Sequence, residues 1–311
     1  MISTRIAHLL TAAGLDPAHV ERVARLALEE DLDGGVDVTT VATVGEDARS
    51  VADFTARAAG VVAGIPVAAA VLDAASDGET EVRFAVADGE RVEPGTVLFT
   101  ASGRTRHLLT AERPALNLLS HLSGVATLTR TWVDAVEGTG ARIRDTRKTT
   151  PGLRKLEKYA VRCGGGVNHR MSLSDAAMVK DNHVVAAGGV VEAFEAVRKQ
   201  FPGLPVEVEV DSLEQLLPVV EAGAELVLLD NFVPDRLRAA VLLVGRNEPY
   251  GRTRLEASGG LTLADARAVA QTGVDYLAVG ALTHSAPVLD VGCDFRAEHT
   301  TSPARGDAQT R

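Results

Sequence analysis

The chain has 311 residues, of which 46% are apolar and 4% aromatic, and its formal net charge is −10. That length and apolar fraction suffice for one large domain or two ordinary domains with a substantial buried core. The acidic balance argues against a general nucleic-acid binder, and no run of about 18 uncharged apolar residues predicts a membrane span.

The N-terminal segment and the cysteine content indicate the cellular compartment of the protein. Residues 1–15 lack the sustained apolar run and the cleavage site of a secretory signal. The only cysteines, Cys163 and Cys293, are too few for a disulfide framework and favour a reducing compartment. We therefore predict a cytoplasmic protein that has neither nucleic acid nor a membrane as a partner.

The first part of the chain mixes helices and short strands without a repeat. Asp16 followed by Pro17 predicts the start of a helix over residues 17–30, because Asp caps helices well and Pro fits their first turn. A second helix is predicted over 65–75. Strand-like runs cover residues 51–57, 81–86 and 96–101. We predict a small α+β domain over residues 1–112.

A different pattern of apolar and helical segments follows the long helical stretch over residues 112–136. Short apolar runs that end in charged or glycine-rich junctions alternate with helical segments. The runs cover residues 141–145, 176–180, 206–211, 226–230, 254–257 and 276–279. Strand followed by helix, repeated, predicts parallel βα units. We favour a closed α/β barrel because no end strand looks polar. An open doubly wound sheet remains the alternative, and residues 298–311 are predicted to be a disordered tail.

The run from Val206 to Asp211 alternates valine with acidic residues. In a barrel strand the valines would face the helices, and Glu207, Glu209 and Asp211 would face the interior near the C-terminal mouth, where barrel enzymes place their sites. A surface strand has the same alternation but is hard to place among parallel strands covered on both faces. Asp230 ends the next strand at the same edge, either as a ligand of a metal or ribose or as a helix cap. Converging carboxylates suit Mg²⁺.

Glycine-rich junctions follow the last two predicted strands, EASGG over residues 256–260 and VGALTHS over 279–285. Glycines between a strand and a helix expose backbone N–H groups to phosphate, and the last two such loops are the usual phosphate site of barrels. Plain turn chemistry would use the same residues. The candidate phosphate-binding residues are Ser258, Gly259, Gly260, Gly280 and Ala281.

Basic residues are concentrated in one segment of this acidic chain. Residues 142–170 hold nine Arg or Lys and two acids. A charge run can be no more than a solvated face, but several of these cations follow predicted strand ends. Lys180 ends an apolar strand, where its burial would require an anion. We predict a cavity whose cations, facing Glu209 and Asp230, suit an anionic substrate and a metal-bound phosphate. The cations are Arg147, Lys148, His169, Arg170 and Lys180.

The motifs around these residues resemble one family. In chain order they are AERPALN, LSGVAT, DTRKTTPGLRKLEKYAV, GGGVNHRMSLSDAAMVKDNH, EVEVD, LLDN, EASGG and VGALTHS. From about residue 17 to 295, the sequence is similar to the quinolinate phosphoribosyltransferases, also called nicotinate-nucleotide pyrophosphorylases (carboxylating), which are type II phosphoribosyltransferases. The resemblance implies Mg²⁺-dependent transfer of the phosphoribosyl group from phosphoribosyl pyrophosphate (PRPP) to quinolinate. The implied products are nicotinate mononucleotide, CO₂ and pyrophosphate, in de novo NAD biosynthesis.

The resemblance also implies an architecture and an assembly. It implies an incomplete α/β barrel of six or seven strands over residues 113–285. An N-terminal open sandwich over 1–112 would be completed by 286–297. The family assembles as a homodimer with shared active sites, and Arg113 corresponds to the residue that reaches into the partner's site.

Residue roles follow from the same resemblance. Lys148 would meet PRPP and the reacting centre, and Glu209 and Asp230 would hold the ribose and the magnesium pyrophosphate, directly or through water. These three residues are the catalytic candidates. The two glycine-rich junctions match the family's phosphate loops. The substrate-binding candidates are Arg113, Thr146, Arg147, Lys148, His169, Arg170, Lys180, Glu209 and Asp230.

Two other functions remain open at the level of sequence. One is a related phosphoribosyltransferase for nicotinate or another ring acid, including a molybdenum-operon homologue; a single carboxylate would not need so many cations. The other is a silent phosphate-binding homologue, against which the intact Lys148, Glu209 and Asp230 count.

Overall fold

The structure, a computed structural model, describes residues 2–245 and 253–297. The tail predicted over 298–311 lies outside these residues. The helices are α1 (Thr4–Ala12), α2 (Pro17–Leu32), α3 (Val38–Thr43), α4 (Ile65–Ala75), α5 (Thr105–Ala135), α6 (Arg154–Cys163), α7 (Asp181–Ala187), α8 (Val190–Gln200), α9 (Leu213–Glu221), α10 (Pro234–Val244), α11 (Ala266–Ala270) and α12 (Ala281–His284). The strands are β1 (Arg49–Ala56), β2 (Gly60–Val61), β3 (Glu81–Phe84), β4 (Arg91–Val92), β5 (Val97–Arg104), β6 (Arg142–Arg144), β7 (Ala177–Val179), β8 (Val206–Val210), β9 (Leu226–Asp230), β10 (Arg254–Ser258), β11 (Tyr276–Ala278) and β12 (Val291–Ala297).

The N-terminal part is built on an antiparallel sheet with the order β12-β1-β5-β3. Phe54 of β1 and Phe99 of β5 stack with ring centroids 4.3 Å apart, and both are fully buried. Helix α4, made largely of Ala and Val, is almost wholly buried. Helix α2 begins as predicted, because the side chain of Asp16 accepts a hydrogen bond from the N–H of Ala18.

Helix α5 links this sheet to the rest of the chain. It runs for 31 residues, continues through Pro114, and packs against both α4 and α6. Within residues 2–245 and 253–297, neither α5 nor any other helix combines the length and the apolar character needed to cross a bilayer.

Strands β2 and β4 form a separate two-stranded antiparallel sheet. The six strands from β6 to β11 form a parallel sheet with the order β6-β11-β10-β9-β8-β7. The end strands β6 and β7 do not pair with each other. Instead, the segment after α6 touches β6 through one isolated bridge between Arg144 and Val167. The predicted incomplete barrel with an N-terminal α+β domain is therefore confirmed. Full closure, inferred from the apolar character of the end strands, is wrong. Helix α5 packs on β6 and helix α8 packs on β7, so the end strands are covered without pairing with each other.

Candidate active site

One cavity of about 410 Å³ lies where the parallel strands end. It collects most of the predicted site residues from six different strands or the loops after them. Its lining is Thr146, Arg147, Lys148, His169, Arg170, Met178, Lys180, Glu209, Leu228, Asp230, Glu256, Ser258, Gly259 and Ala278. A second cavity of about 390 Å³, beside α8 and β8, has only Arg198 and Glu225 as charged lining residues. The charge pattern therefore marks the first cavity as the candidate site.

The loop after β6 supplies Arg147 and Lys148, and the protein fixes its backbone at several points. The N–H of Lys148 donates to Thr146 Oγ1 at 3.0 Å, and the hydroxyl of Thr283 donates to the carbonyl oxygen of Lys148 at 2.8 Å. A Cβ on Gly280 would lie 2.9 Å from Lys148 Cδ, so this glycine lets the lysine stem pass closely. Sequence reasoning missed Thr283, which is 135 residues away from Lys148.

A buried ion pair lies beneath the loop that carries Arg147 and Lys148 and the loop that carries His169 and Arg170. Lys158 and Asp145 are fully buried and contact each other. Asp145 also accepts from the N–H of His169 at 2.8 Å and from Asn168 Nδ2 at 2.6 Å, while Lys158 donates to the carbonyl of His169 at 2.8 Å. Burial raises the pKa of Asp145 and lowers that of Lys158, and each partner's charge opposes the shift. Part of the basic segment thus holds the site together rather than lining it.

The opposite wall carries carboxylates. Lys180 Nζ lies 2.8 Å from Glu209 Oε2, and Asp230 accepts from Asn231 Nδ2 at 2.8 Å. The Lys180 side chain is 44% exposed, and the anion that it meets is Glu209. Asp211 is exposed and does not line the cavity, because β8 ends at Val210, so its predicted inward position is wrong.

A charged cluster lies beneath the cavity, and only His169 and Glu256 of this cluster line it. Sequence reasoning found the cluster only in part. Glu207 was predicted to point inward, and it is 3% exposed; Glu256 is fully buried. Arg144 Nη1 lies 2.6 Å from Glu256 and 3.9 Å from Glu207, and His169 Nε2 lies 2.6 Å from Glu207. Burial, together with the nearby charge of Glu207, raises the pKa of Glu256 to about 8. A charged residue within the apolar run of β10 was the available signal for Glu256.

The glycine-rich loops differ from the prediction in one respect. Gly259 has φ +97°, and a Cβ there would collide with the side chain of Asn231, so glycine is required. The next helix, α11, begins only at Ala266, so Gly259 and Gly260 do not lie at a helix N-terminus. Of the predicted residues, Arg113, Gly260, Gly280 and Ala281 do not line the cavity; Arg113 is exposed on α5.

Among the described residues at this site, two groups of side chains could hold a metal ion. Ligand atoms of His169, Glu207 and Glu256 lie within 4.8 Å of one another, but Arg144 already provides a positive charge to this buried group. Glu209 and Asp230 face the cavity and offer only oxygen ligands, which a hard cation such as Mg²⁺ prefers. The donor chemistry of this second pair therefore fits magnesium.

Together, the fold and the cavity define a class of protein: an α/β-barrel-type enzyme that binds an anionic ligand at its strand ends. The chain belongs to the quinolinate phosphoribosyltransferase family. The family's N-terminal domain matches residues 37–123, and its C-terminal domain matches residues 125–294.

Individual relatives agree with this assignment. The chain is 54% identical over 273 residues to the nicotinate-nucleotide pyrophosphorylase (carboxylating) of Mycobacterium leprae, covering 87% of this chain and 95% of the relative. The solved structure of NadC from Streptococcus pyogenes superposes with a TM-score of 0.85 at 38% identity, over 91% of this chain and 98% of that one. The nicotinate-nucleotide pyrophosphorylase from Francisella tularensis gives a TM-score of 0.84 at 35% identity, with the same coverage.

Proposed function

We propose that this chain transfers the phosphoribosyl group of PRPP to quinolinate and releases CO₂ and pyrophosphate, giving nicotinate mononucleotide for de novo NAD biosynthesis. The observation that carries the proposal is one cavity that is lined by the cations Arg147, Lys148 and Arg170 and by the carboxylates Glu209 and Asp230. The relatives of this chain include a quinolinate phosphoribosyltransferase (decarboxylating) of Nicotiana glauca, which supports this substrate.

Three cations of the cavity can receive carboxylates, whereas Lys180 is already paired with Glu209. Among the described residues, no carboxylate oxygen lies within 4.0 Å of a charged nitrogen of Arg147, Lys148 or Arg170. Desolvation, followed by the charge of Arg147, lowers the pKa of Arg170. Two neighbouring cations with no carboxylate at ion-pair distance favour a dicarboxylate over a monocarboxylate. The planar guanidinium can pair with a carboxylate through two hydrogen bonds.

The same arrangement supports the proposed chemistry. The pyridine nitrogen attacks the anomeric carbon of the ribose as pyrophosphate leaves, through a transition state with oxocarbenium character. Glu209 and Asp230 stabilise the positive charge that develops on the ribose. After attack the ring nitrogen is cationic, so the electron pair that stays on the adjacent ring carbon when the C–C bond breaks and CO₂ leaves is stabilised. That carbon then takes up a proton from water, which gives the nicotinate ring. Lys148 lies at the reacting centre, where its positive charge can stabilise the charges that change during these steps.

Glu209 and Asp230 are the residues that we propose to hold magnesium, directly or through water. When bound, magnesium supplies charge neutralisation for the leaving pyrophosphate. Glu209 also contacts Lys180 through Oε2, so a magnesium ion bound there would share this carboxylate with the lysine. Ser258, Gly259, Gly260, Gly280 and Ala281 are proposed to bind phosphate through their loops.

We further propose a homodimer in which Arg113 completes the partner's cavity. Its exposure on α5, outside the cavity of its own chain, supports this role. Residues 1–112 with 286–297, and residues 113–285, are proposed as the two domains. Cys163 and Cys293 are both free thiols, which supports a cytoplasmic location.

A turnover assay tests the function. The purified protein is mixed with quinolinate, PRPP and magnesium, and loss of quinolinate absorbance is followed together with CO₂ release. Parallel reactions contain nicotinate instead of quinolinate, or a chelator instead of magnesium. Turnover with quinolinate and magnesium alone supports the whole proposal. Turnover with nicotinate would indicate that the substrate is another ring acid. Nucleotide binding without turnover would support a silent homologue.

A further inference from the structure

Asn231 does not line the cavity, but it contacts two residues that do. Its Nδ2 donates a hydrogen bond to Asp230 Oδ2 at 2.8 Å, and its backbone N–H donates to the carbonyl oxygen of Ser258 at 2.9 Å. Asp230 and Ser258 both line the cavity, and they are neighbours in the register of β9 and β10. Asn231 therefore joins one of the proposed magnesium ligands to one of the proposed phosphate loops.

The backbone conformation of Asn231 makes this double contact possible. In a continuing strand, successive side chains point to opposite faces, so Asn231 could not reach the side chain of Asp230. Asn231 instead has a φ of 56°, in the left-handed region, which asparagine tolerates better than most residues. This turn brings its side chain back to Asp230 directly after β9 ends.

The side chain of Asn231 also packs directly against Gly259. A Cβ on Gly259 would lie 2.6 Å from Asn231 Cγ and 2.9 Å from the backbone nitrogen of Asn231, so the two loops fit together only because residue 259 has no side chain. Within residues 2–245 and 253–297, no other residue donates a hydrogen bond to the carboxylate of Asp230. Without Asn231, β9 would fix the Cα atom of Asp230 but not the direction of its carboxylate.

We propose that Asn231 is a positioning residue, which holds the carboxylate of Asp230 and the turn at Ser258 and Gly259 in one arrangement so that both meet the magnesium pyrophosphate group of PRPP. This role rests on the proposed function, because it places the pyrophosphate between the two loops. Asn231 is exposed, so water competes for its hydrogen bonds and they add little to the stability of the fold. Loss of the side chain should therefore change ligand binding rather than folding.

The sharpest perturbation is Asn231→Gly, because glycine keeps the left-handed backbone and removes only the side chain. Isothermal titration calorimetry measures the dissociation constant of inorganic pyrophosphate for the full-length protein in magnesium, without any turnover. Asn231→Gly should weaken this binding about 10- to 100-fold and leave the dissociation constant of quinolinate within about twofold. Asp77→Gly is the matched control. Asp77 is also exposed and has a φ of 48°, but it lies outside the cavity lining, so its replacement should change neither constant.

The native protein and the variant answer different questions. Native protein that does not bind pyrophosphate in magnesium contradicts the proposed function at its phosphate site, and the role of Asn231 with it. If the native protein binds pyrophosphate and Asn231→Gly binds it equally well, the proposed function stands and the role of Asn231 is overturned. An equal loss of quinolinate binding in Asn231→Gly would also overturn that role, because it would show a general disturbance of the cavity.

Urea unfolding tests the contact between Asn231 and Gly259 without any ligand. In Gly259→Ala the added Cβ would force the side chain of Asn231 away from Asp230. The loss of stability caused by Gly259→Ala should therefore be smaller in the Asn231→Gly background than in the native one, whereas Asn231→Gly alone should unfold at nearly the native urea concentration. An equal loss in both backgrounds would overturn the arrangement on which the proposal stands.

Discussion

Replacing Lys158 with methionine should destabilise the protein strongly although Lys158 does not line the cavity. The lysine and its partner Asp145 have fully buried side chains. Methionine has a similar volume but leaves the carboxylate of Asp145 buried without its counter-charge, and loss of one partner of a buried ion pair costs about 3–5 kcal/mol. Asn168 and the N–H of His169 still donate to Asp145, so we expect the lower half of that range.

Urea unfolding at pH 7 and a fixed protein concentration measures this loss, since assembly would otherwise shift the apparent stability. Lys155→Met on the same helix is the control. Lys155 is exposed, and its Nζ lies 3.7 Å from Asp16 Oδ2. Loss of such an exposed ion pair should lower the free energy of unfolding by less than about 1 kcal/mol. The double variant Asp145→Asn, Lys158→Met removes both charges and should be more stable than the sum of the single losses by at least about 1 kcal/mol. A cost for Lys158→Met as small as that of Lys155→Met, or strict additivity, would refute the reasoning.

Three further predictions concern the cavity and its floor. Lys148→Ala should lower kcat by about 10²–10³ with little change in quinolinate affinity measured by equilibrium binding; equal losses in both would remove Lys148 from the reacting centre. Arg113→Ala and Lys180→Ala homodimers should each be inactive, yet mixing them should restore part of the activity, and no rescue after subunit exchange would contradict a shared site. Glu256→Gln should change the pH dependence of stability. The pKa of Glu256 in the folded protein is about 8, above its usual value of 4.5, so the stabilisation linked to its proton is complete below about pH 4.5 and is lost as the pH rises through 8. Relative to Glu256→Gln, the native protein should therefore lose up to about 1.4 kcal/mol per pH unit within that window, measured by urea unfolding; parallel curves would contradict the raised pKa.

The strand ends were predictable because local patterns encode them. Alternation in the run from Val206 to Asp211 places Glu207 and Glu209 on one face whatever lies around them. Apolar runs and glycine junctions located β9 and β10 to within a residue or two. These signals require only the period of a strand, so they are visible in a single sequence.

Contacts between distant parts of the chain were not predictable. Arg144 meets Glu256 across 112 positions, and nothing in either segment specifies the other. Lys148 and Lys158 lie in the same basic segment, yet one lines the cavity and the other is buried against Asp145. Which lysine turns inward depends on how α6 packs, and that is set by tertiary contacts rather than by the local sequence.

The pairing of β12 with β1 has a consequence for the order of folding. Arg296 of β12 donates to Asp53 of β1, 243 positions earlier in the chain. During synthesis, β1 and β5 emerge long before the strand that covers the outer edge of β1. Until β12 arrives, β1 exposes unpaired backbone groups, and an uncovered strand edge is a template for association with other chains. Nascent chains that stop before Val291 should therefore aggregate through the N-terminal sheet, even when the parallel sheet has already formed.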